Sequence, residues 1–339
     1  MKMTRLGRTE LTVSQTGFGA LPIQRIGKEE AKSLLLRALD AGITYFDTAR
    51  AYTDSEEKIG YAFRSVRDRV VLATKTMSRD KKGIFSDIDA SLKSLHVDYI
   101  DIYQLHNPPE IGEDVYEGLL ELKEMGKIRH IGITNHSRDR AAAAVESGRF
   151  DTLQFPLSFL SSPEDLALIE LCREKDVGVL AMKGLAGGLI NQAACAFAFL
   201  RGYENVVPLW GIERMSDLEE FISLENNPPP LDASMQKRID EFKRELSGDY
   251  CRSCGYCLPC TAGIRIPTAA RIVPLMNRAR YQSYLTDEFA DEMAKIELCS
   301  DCGLCKSRCP YGLNVPELLK KQYEGFKKLR AEYKRRDDE

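Results

Sequence analysis

From residue 15 to residue 210 the chain repeats one pattern: a short apolar run rich in β-branched residues, then a helix-length stretch with apolar residues spaced i, i+3, i+4 and i+7. The runs predict strands at 15–19, 43–46, 70–75, 100–106, 128–134, 152–155, 177–182 and 206–210. Between them the spacing predicts helices at 28–41, closed by Gly42, and at 54–65. A third is opened by Ser86 with Asp89 as a capping box and runs through Leu95, and further helices are expected at 113–125, 138–147, 164–175 and 192–200. Strict alternation closing at eight predicts a TIM (β/α)8 barrel rather than an open doubly wound sheet. No Gly-x-Gly-x-x-Gly follows the first strand, which also counts against a dinucleotide-binding doubly wound sheet. A barrel concentrates its chemistry at the C-terminal ends of its strands.

Those ends carry polar residues of particular types. The run Ile43-Thr44-Tyr45-Phe46 leads into Asp47 and Tyr52, the next strand ends in Lys75, and the one after ends in His106. A phenol of pKa about 10 needs a nearby cation to act as a general acid near neutrality. Taken singly, each residue has an ordinary explanation: Tyr52 as packing, Lys75 as a solvated strand end, His106 as a loop histidine before Asn107-Pro108-Pro109. Together they would point out of one edge of a parallel barrel, on three consecutive strand ends.

Here the sequence resembles the aldo-keto reductases, over roughly residues 3 to 225. The motifs are Phe46-Asp47-Thr48-Ala49 with Tyr52, Ala73-Thr74-Lys75, Gln104-Leu105-His106 and Gly132-Ile133-Thr134-Asn135. The resemblance implies a catalytic tetrad of Asp47, Tyr52, Lys75 and His106 and reduction of an aldehyde or ketone by NADP(H) or NAD(H). In it Tyr52 protonates the alkoxide, Lys75 lowers the tyrosine pKa, Asp47 orients Lys75, and His106 positions the carbonyl oxygen. It further implies that Thr134, Asn135 and Gln154 hold the nicotinamide carboxamide and that the loop Gly184-Leu185-Ala186-Gly187-Gly188 cradles the pyrophosphate. Gly211, Arg214, Glu219 and Glu220 fall where the family binds the adenosine end. Two positions depart from the family pattern: Met182 replaces the aromatic ring that many members stack on the nicotinamide, and Leu209 replaces a lysine on the last strand. Arg214 is the one cation the sequence places near the adenosine end.

The last third carries a different signal. Cys251, Cys254, Cys257 and Cys260 stand at two-residue intervals, and Cys299, Cys302, Cys305 and Cys309-Pro310 repeat the bacterial ferredoxin run. In that run three cysteines hold one [4Fe–4S] cluster and the fourth serves the other. Cys251, Cys254 and Cys257 are thus expected to act with Cys309, and Cys299, Cys302 and Cys305 with Cys260. Two structural zinc sites would instead be built from paired CxxC motifs. The stretch between the motifs, with helical spacing over 278–296, resembles α-helical ferredoxin domains of fumarate-reductase-type subunits, so a small, mainly helical dicluster domain is expected. Cys172 and Cys195 lie on apolar helix faces and read as core thiols.

Asn226-Asn227-Pro228-Pro229-Pro230 interrupts any helix and marks a stiff connector. The expected organisation is a barrel over 1–225, a linker with a connecting helix over 226–248, and the cluster domain with a C-terminal helix from about Val315 over 249–339. A net charge of −3 speaks against a nucleic-acid surface. The basic run from Lys327 to Arg336 is offset by Asp337-Asp338-Glu339 and reads as a solvated helix face. No apolar leader or membrane-length run is present, so a cytoplasmic protein is expected, with a small carbonyl substrate and a possible redox partner at the cluster domain. Hydride transfer moves two electrons and each cluster one. The sequence therefore also admits an iron–sulfur electron carrier whose barrel binds nicotinamide without substantial carbonyl turnover.

Overall fold

The structure, a computed structural model, describes residues 1–246, 250–278 and 281–338. The chain divides into two compact units, one of Met1–Gly184 with Ala194–Met235 and the other of Leu185–Ala193 with Gln236–Glu339.

The first unit opens with an antiparallel hairpin, β1 (Met3–Arg5) and β2 (Thr12–Ser14), that the sequence did not signal. A closed parallel barrel follows: β3 (Gly17–Gly19), β4 (Tyr45–Asp47), β5 (Val71–Thr76), β6 (Ile100–His106), β7 (Ile128–Thr134), β8 (Thr152–Pro156), β9 (Gly178–Met182) and β10 (Val206–Gly211). Each strand pairs with its sequence neighbour and β10 closes on β3. The register sets Asp47 beside Ala73, Lys75 beside Gln104, and His106 beside Thr134, which lies beside Gln154.

Helices α1 (Lys28–Asp40), α2 (Ser55–Phe63), α3 (Lys81–Leu95), α4 (Glu113–Glu124), α5 (Arg138–Glu146), α6 (Pro163–Glu174), α7 (Ala193–Arg201) and α8 (Met215–Asn226) connect or follow the strands. In α1 the predicted stripe of Ala31, Leu34, Leu35, Ala38 and Leu39 is the buried face, and each leucine removed from water contributes about 2 kcal/mol. Within the barrel, Tyr45, Ala73, Ile102, Leu180, Val207 and Leu209 form an apolar cluster with Leu6 and Val13 from the hairpin region. Cys172 and Cys195 are fully buried, as core thiols should be.

The start of α3 differs from expectation. Asp80, in extended conformation, is its N-cap and accepts a 2.7 Å hydrogen bond from the Gly83 amide, so Ser86 lies inside the helix rather than at its start. Asp87, next to it, instead accepts hydrogen bonds from Thr76 and Ser78, and Asp89 pairs with Lys127.

The regular structure of the second unit's described residues is helical: most of α9 (Ala233–Glu245), then α10 (Ile266–Ala269), α11 (Ile272–Arg278), α12 (Asp287–Ala294), α13 (Leu304–Ser307) and α14 (Val315–Asp338). Ile264, Ile266, Ile272, Met276, Met293, Leu319 and Phe326 form its core, with Cys257 among them and Cys251, Cys260, Cys299, Cys305 and Cys309 packed against it. The helical spacing read over 278–296 resolves into separate elements, because Thr286 caps α12 through a bond from the Phe289 amide; residues 279 and 280 lie outside the described residues. Among the described residues no helix is long and apolar enough to cross a membrane.

Candidate active site

Strand alternation decides which side chains enter the barrel. On β5, Lys75 points inward and is fully buried, while the hydroxyls of Thr74 and Thr76 reach Glu56 of α2 and Asp87 of α3. A buried ammonium is sustained only by close partners, and Lys75 has them. Its Nζ lies 2.6 Å from Asp47 Oδ2 and donates to the Thr48 carbonyl at 2.7 Å. The other carboxylate oxygen of Asp47 accepts from Gln104 Nε2 at 3.2 Å. Burial pushes the Asp47 carboxyl above its ordinary value, opposed by Lys75, Gln104 and Gln154.

Tyr52 stands in the connector after β4, with Lys75 Nζ 5.1 Å from its ring centroid. His106, at the end of β6, meets the same ring edge-on with centroids 5.9 Å apart. The structure thus brings Asp47, Tyr52, Lys75 and His106 together. One expectation is revised: although Lys75 pulls the Tyr52 pKa down, burial outweighs it and the net direction is up. Lys75 shares its charge with Asp47, and desolvation of the phenolate costs more than the remainder returns. The phenol is therefore held protonated, the form a proton donor requires. Burial, together with the charges of Lys75 and Arg79, lowers His106 to about 3, leaving a neutral imidazole whose buried Nδ1 has no hydrogen-bond partner among the described residues.

Beside this group, Thr134, Asn135 and Gln154 are buried on adjacent strand ends. Asn135 is already engaged, donating to the Pro108 carbonyl at 3.0 Å and accepting from the Ser137 amide at 2.9 Å. Among the described residues Gln154 Oε1 is buried with no partner, an acceptor that fits a carboxamide N–H. Met182 ends β9, and Gly184 follows where a side chain would strike the Trp210 ring 2.7 Å away. Leu185, Gly187 and Gly188 belong to the second unit, where Gly187 and Gly188 have φ of +66° and +93°.

Gly211 ends β10. Arg214 is paired with Asp217 at 2.6 Å, and Glu219 takes two bonds from Arg37, at 2.8 and 3.1 Å. Arg25 pairs with Glu213, so Arg214 is one of three cations in this region rather than the single one the sequence indicated; Glu220 is exposed. Leu209 is buried in the barrel's apolar cluster.

In the second unit the cysteines line two cavities. Cys251, Cys254, Cys257 and Cys309 line one, with Ile266, Leu313 and Val315 among its apolar walls. Cys260, Cys299, Cys302 and Cys305 line the other, which Cys257 also borders. Four thiols around an apolar cavity fit the ligation of an iron–sulfur cluster. Among the described residues no three His, Cys, Asp or Glu side chains are close enough to hold a single metal ion.

Comparison with known proteins accounts for both units. Residues 15–194 match the aldo/keto reductase family, and residues 250–314 match a 4Fe-4S dicluster domain. The chain is 31% identical over 212 residues to the aldo-keto reductase YhdN of Bacillus subtilis, covering 56% of this chain and 64% of that protein. Identity to the NADH-specific methylglyoxal reductase of Escherichia coli is 31% over 227 residues, 56% of this chain and 69% of the relative. The chain therefore spans about two thirds of these relatives' length. The crystal structure of an aldo-keto reductase from Klebsiella pneumoniae in complex with NADPH aligns with a TM-score of 0.62 at 23% identity, over 71% of this chain and 95% of that one.

Proposed function

This chain belongs to the aldo/keto reductase family, and from that membership we propose that its barrel reduces an aldehyde or ketone to an alcohol with NADPH or NADH. A bound reduced nicotinamide supplies the hydride. The residues do the rest. Tyr52, kept protonated by burial, gives its proton to the developing alkoxide, a far stronger base than phenolate. Lys75, buried between Asp47 and Tyr52, stabilises the phenolate left behind, and Asp47 fixes the ammonium in place. Neutral His106 donates one hydrogen bond to the carbonyl oxygen without competing as an acid.

Thr134, Asn135 and Gln154 hold the carboxamide, with the unpaired Gln154 Oε1 as acceptor, and Met182 lies against the ring. Gly184, Leu185, Gly187 and Gly188 hold the pyrophosphate, and Gly211, Arg214, Glu219 and Glu220 the adenosine end. The cysteine unit carries two [4Fe–4S] clusters, one on Cys251, Cys254, Cys257 and Cys309 and one on Cys260, Cys299, Cys302 and Cys305, which serve electron transfer or docking of a redox partner. The observation that carries the reading is the buried Lys75 ion-paired to Asp47 beneath the Tyr52 ring. Anaerobic incubation with dinucleotide deuterated at the nicotinamide C4 and a panel of aldehydes tests it: the product alcohol should carry deuterium on its carbinol carbon. Alcohol formed without deuterium, or none from any aldehyde, refutes it.

A further inference from the structure

The short connector 48–54 between β4 and α2 bears Tyr52, and its shape is governed by a buried charge outside the tetrad. Glu56, only 2% exposed at its side chain, receives three hydrogen bonds from three different elements. Thr74 of β5 donates at 2.6 Å, Ser91 of α3 at 2.7 Å, and Arg50 of the connector closes an ion pair on the other oxygen. Thr74 is the residue before Lys75, and Arg50 lies two positions before Tyr52. The backbone runs parallel to these contacts: the Thr48 amide donates to the Ala73 carbonyl at 2.9 Å, the Arg50 amide to the Lys75 carbonyl at 3.1 Å, and the Tyr52 amide to the Ala49 carbonyl at 3.0 Å. One carboxylate thus ties the segment holding the phenol to the strand holding the ammonium.

We propose that Glu56 and Arg50 are positioning residues that set the placement of Tyr52 against Lys75, a role that rests on the reductase reading only for its effect on turnover. The arrangement suits such a task. A buried carboxylate that accepts from a guanidinium and two hydroxyls has one favourable orientation, and its partners are fixed with it. Removing either charge alone would also disturb the local field, where Asp87 of α3 lies near Arg50. Glu56→Gln with Arg50→Met removes both charges at once, so the net charge is unchanged and a change at Tyr52 reports geometry. Tyr52 is faced by Lys75 of β5, Asp47 of β4 and His106 of β6, and Lys75 is the neighbour that favours its phenolate. A loosened connector changes both the ring's distance from Lys75 and its burial, the two opposing influences on its titration, and so moves the midpoint.

The test places 3-fluorotyrosine at Tyr52 in the full chain and follows its 19F resonance through a pH titration, a readout that needs neither substrate nor turnover. In the double variant the midpoint should move by about 0.5 pH unit or more and the line should broaden, while Arg50→Lys, which keeps the charge, stays near the unmodified protein. Separately, kcat should fall about tenfold with the dinucleotide dissociation constant, read by fluorescence, within about twofold. Should the double variant fail to fold, Arg50→Met alone, at a side chain 31% exposed, serves in its place, with the line broadening as its readout. An unchanged midpoint and line width in a folded double variant, or an unchanged line width in folded Arg50→Met, overturns the proposal. A protein that shows the 19F changes yet reduces no carbonyl overturns the reductase reading alone.

Discussion

Lys75 Nζ lies 2.6 Å from Asp47 Oδ2 in an environment that excludes water from both, and each charge is tolerable there only because the other is present. Lys75→Met should therefore abolish turnover and also destabilise the barrel by about 3–5 kcal/mol, since it strands a buried carboxylate. Asp47→Asn with Lys75→Met should recover much of the stability and none of the activity. Chemical denaturation of the two variants measures the difference.

His106 gives a pH dependence of known sign. Its pKa is lowered from 6.5 to about 3 in the folded protein, so between those values the unfolded chain binds a proton that the folded chain refuses. Its contribution to stability is complete above pH 6.5 and is lost as pH falls toward 3. The slope due to this group is at most about 1.4 kcal/mol per pH unit. His106→Gln should flatten the stability profile between pH 6.5 and 4; an unaltered slope would show that the imidazole is not buried as described.

The start of α3 separates two capping residues. Asp80→Ala removes the acceptor for the Gly83 amide and should cost about 1 kcal/mol. Ser86→Ala, inside the helix, should change stability by less than about 0.5 kcal/mol. Thermal unfolding of the two variants distinguishes them.

The proposed cluster ligation crosses between the two runs, and single substitutions test it. Cys309→Ala should erase the same spectroscopic component as Cys254→Ala, and Cys302→Ala the other, each with about half of the bound iron lost. Electron paramagnetic resonance of the reduced, anaerobically purified variants reads this directly. Loss of the Cys302 component on Cys309→Ala would mean that each run holds its own cluster.

Much of the fold could be read from the chain because barrel strands and helices announce themselves by period. Ile128–Thr134 matches the predicted run, and the stripe from Ala31 to Leu39 is buried as its spacing requires. Asp47, Lys75 and His106 were singled out because each stands at a strand end or one residue before it. What escaped depends on contacts between distant residues or on very short elements. The three-residue strands of β1 and β2 are too short to show a period. Ser86 and Asp89 have capping-box spacing, yet Asp80, whose extended backbone the spacing does not reveal, starts the helix. Arg37 and Glu219 meet only because the barrel closes, and nothing in the sequence marks Glu56 rather than Glu57 as the buried one of α2's two acidic residues. Gln104 left one usable sign, a polar side chain at the same parity as His106 on the same strand.

The most direct test of the central claim is the anaerobic steady-state reduction of an aldehyde panel by the full chain and by Tyr52→Phe, with dinucleotide binding measured alongside. The account predicts turnover by the unmodified protein, a fall of about 100-fold or more in kcat on loss of the hydroxyl, and an unchanged dinucleotide dissociation constant. Turnover by Tyr52→Phe equal to that of the unmodified protein, or none by either, would contradict it.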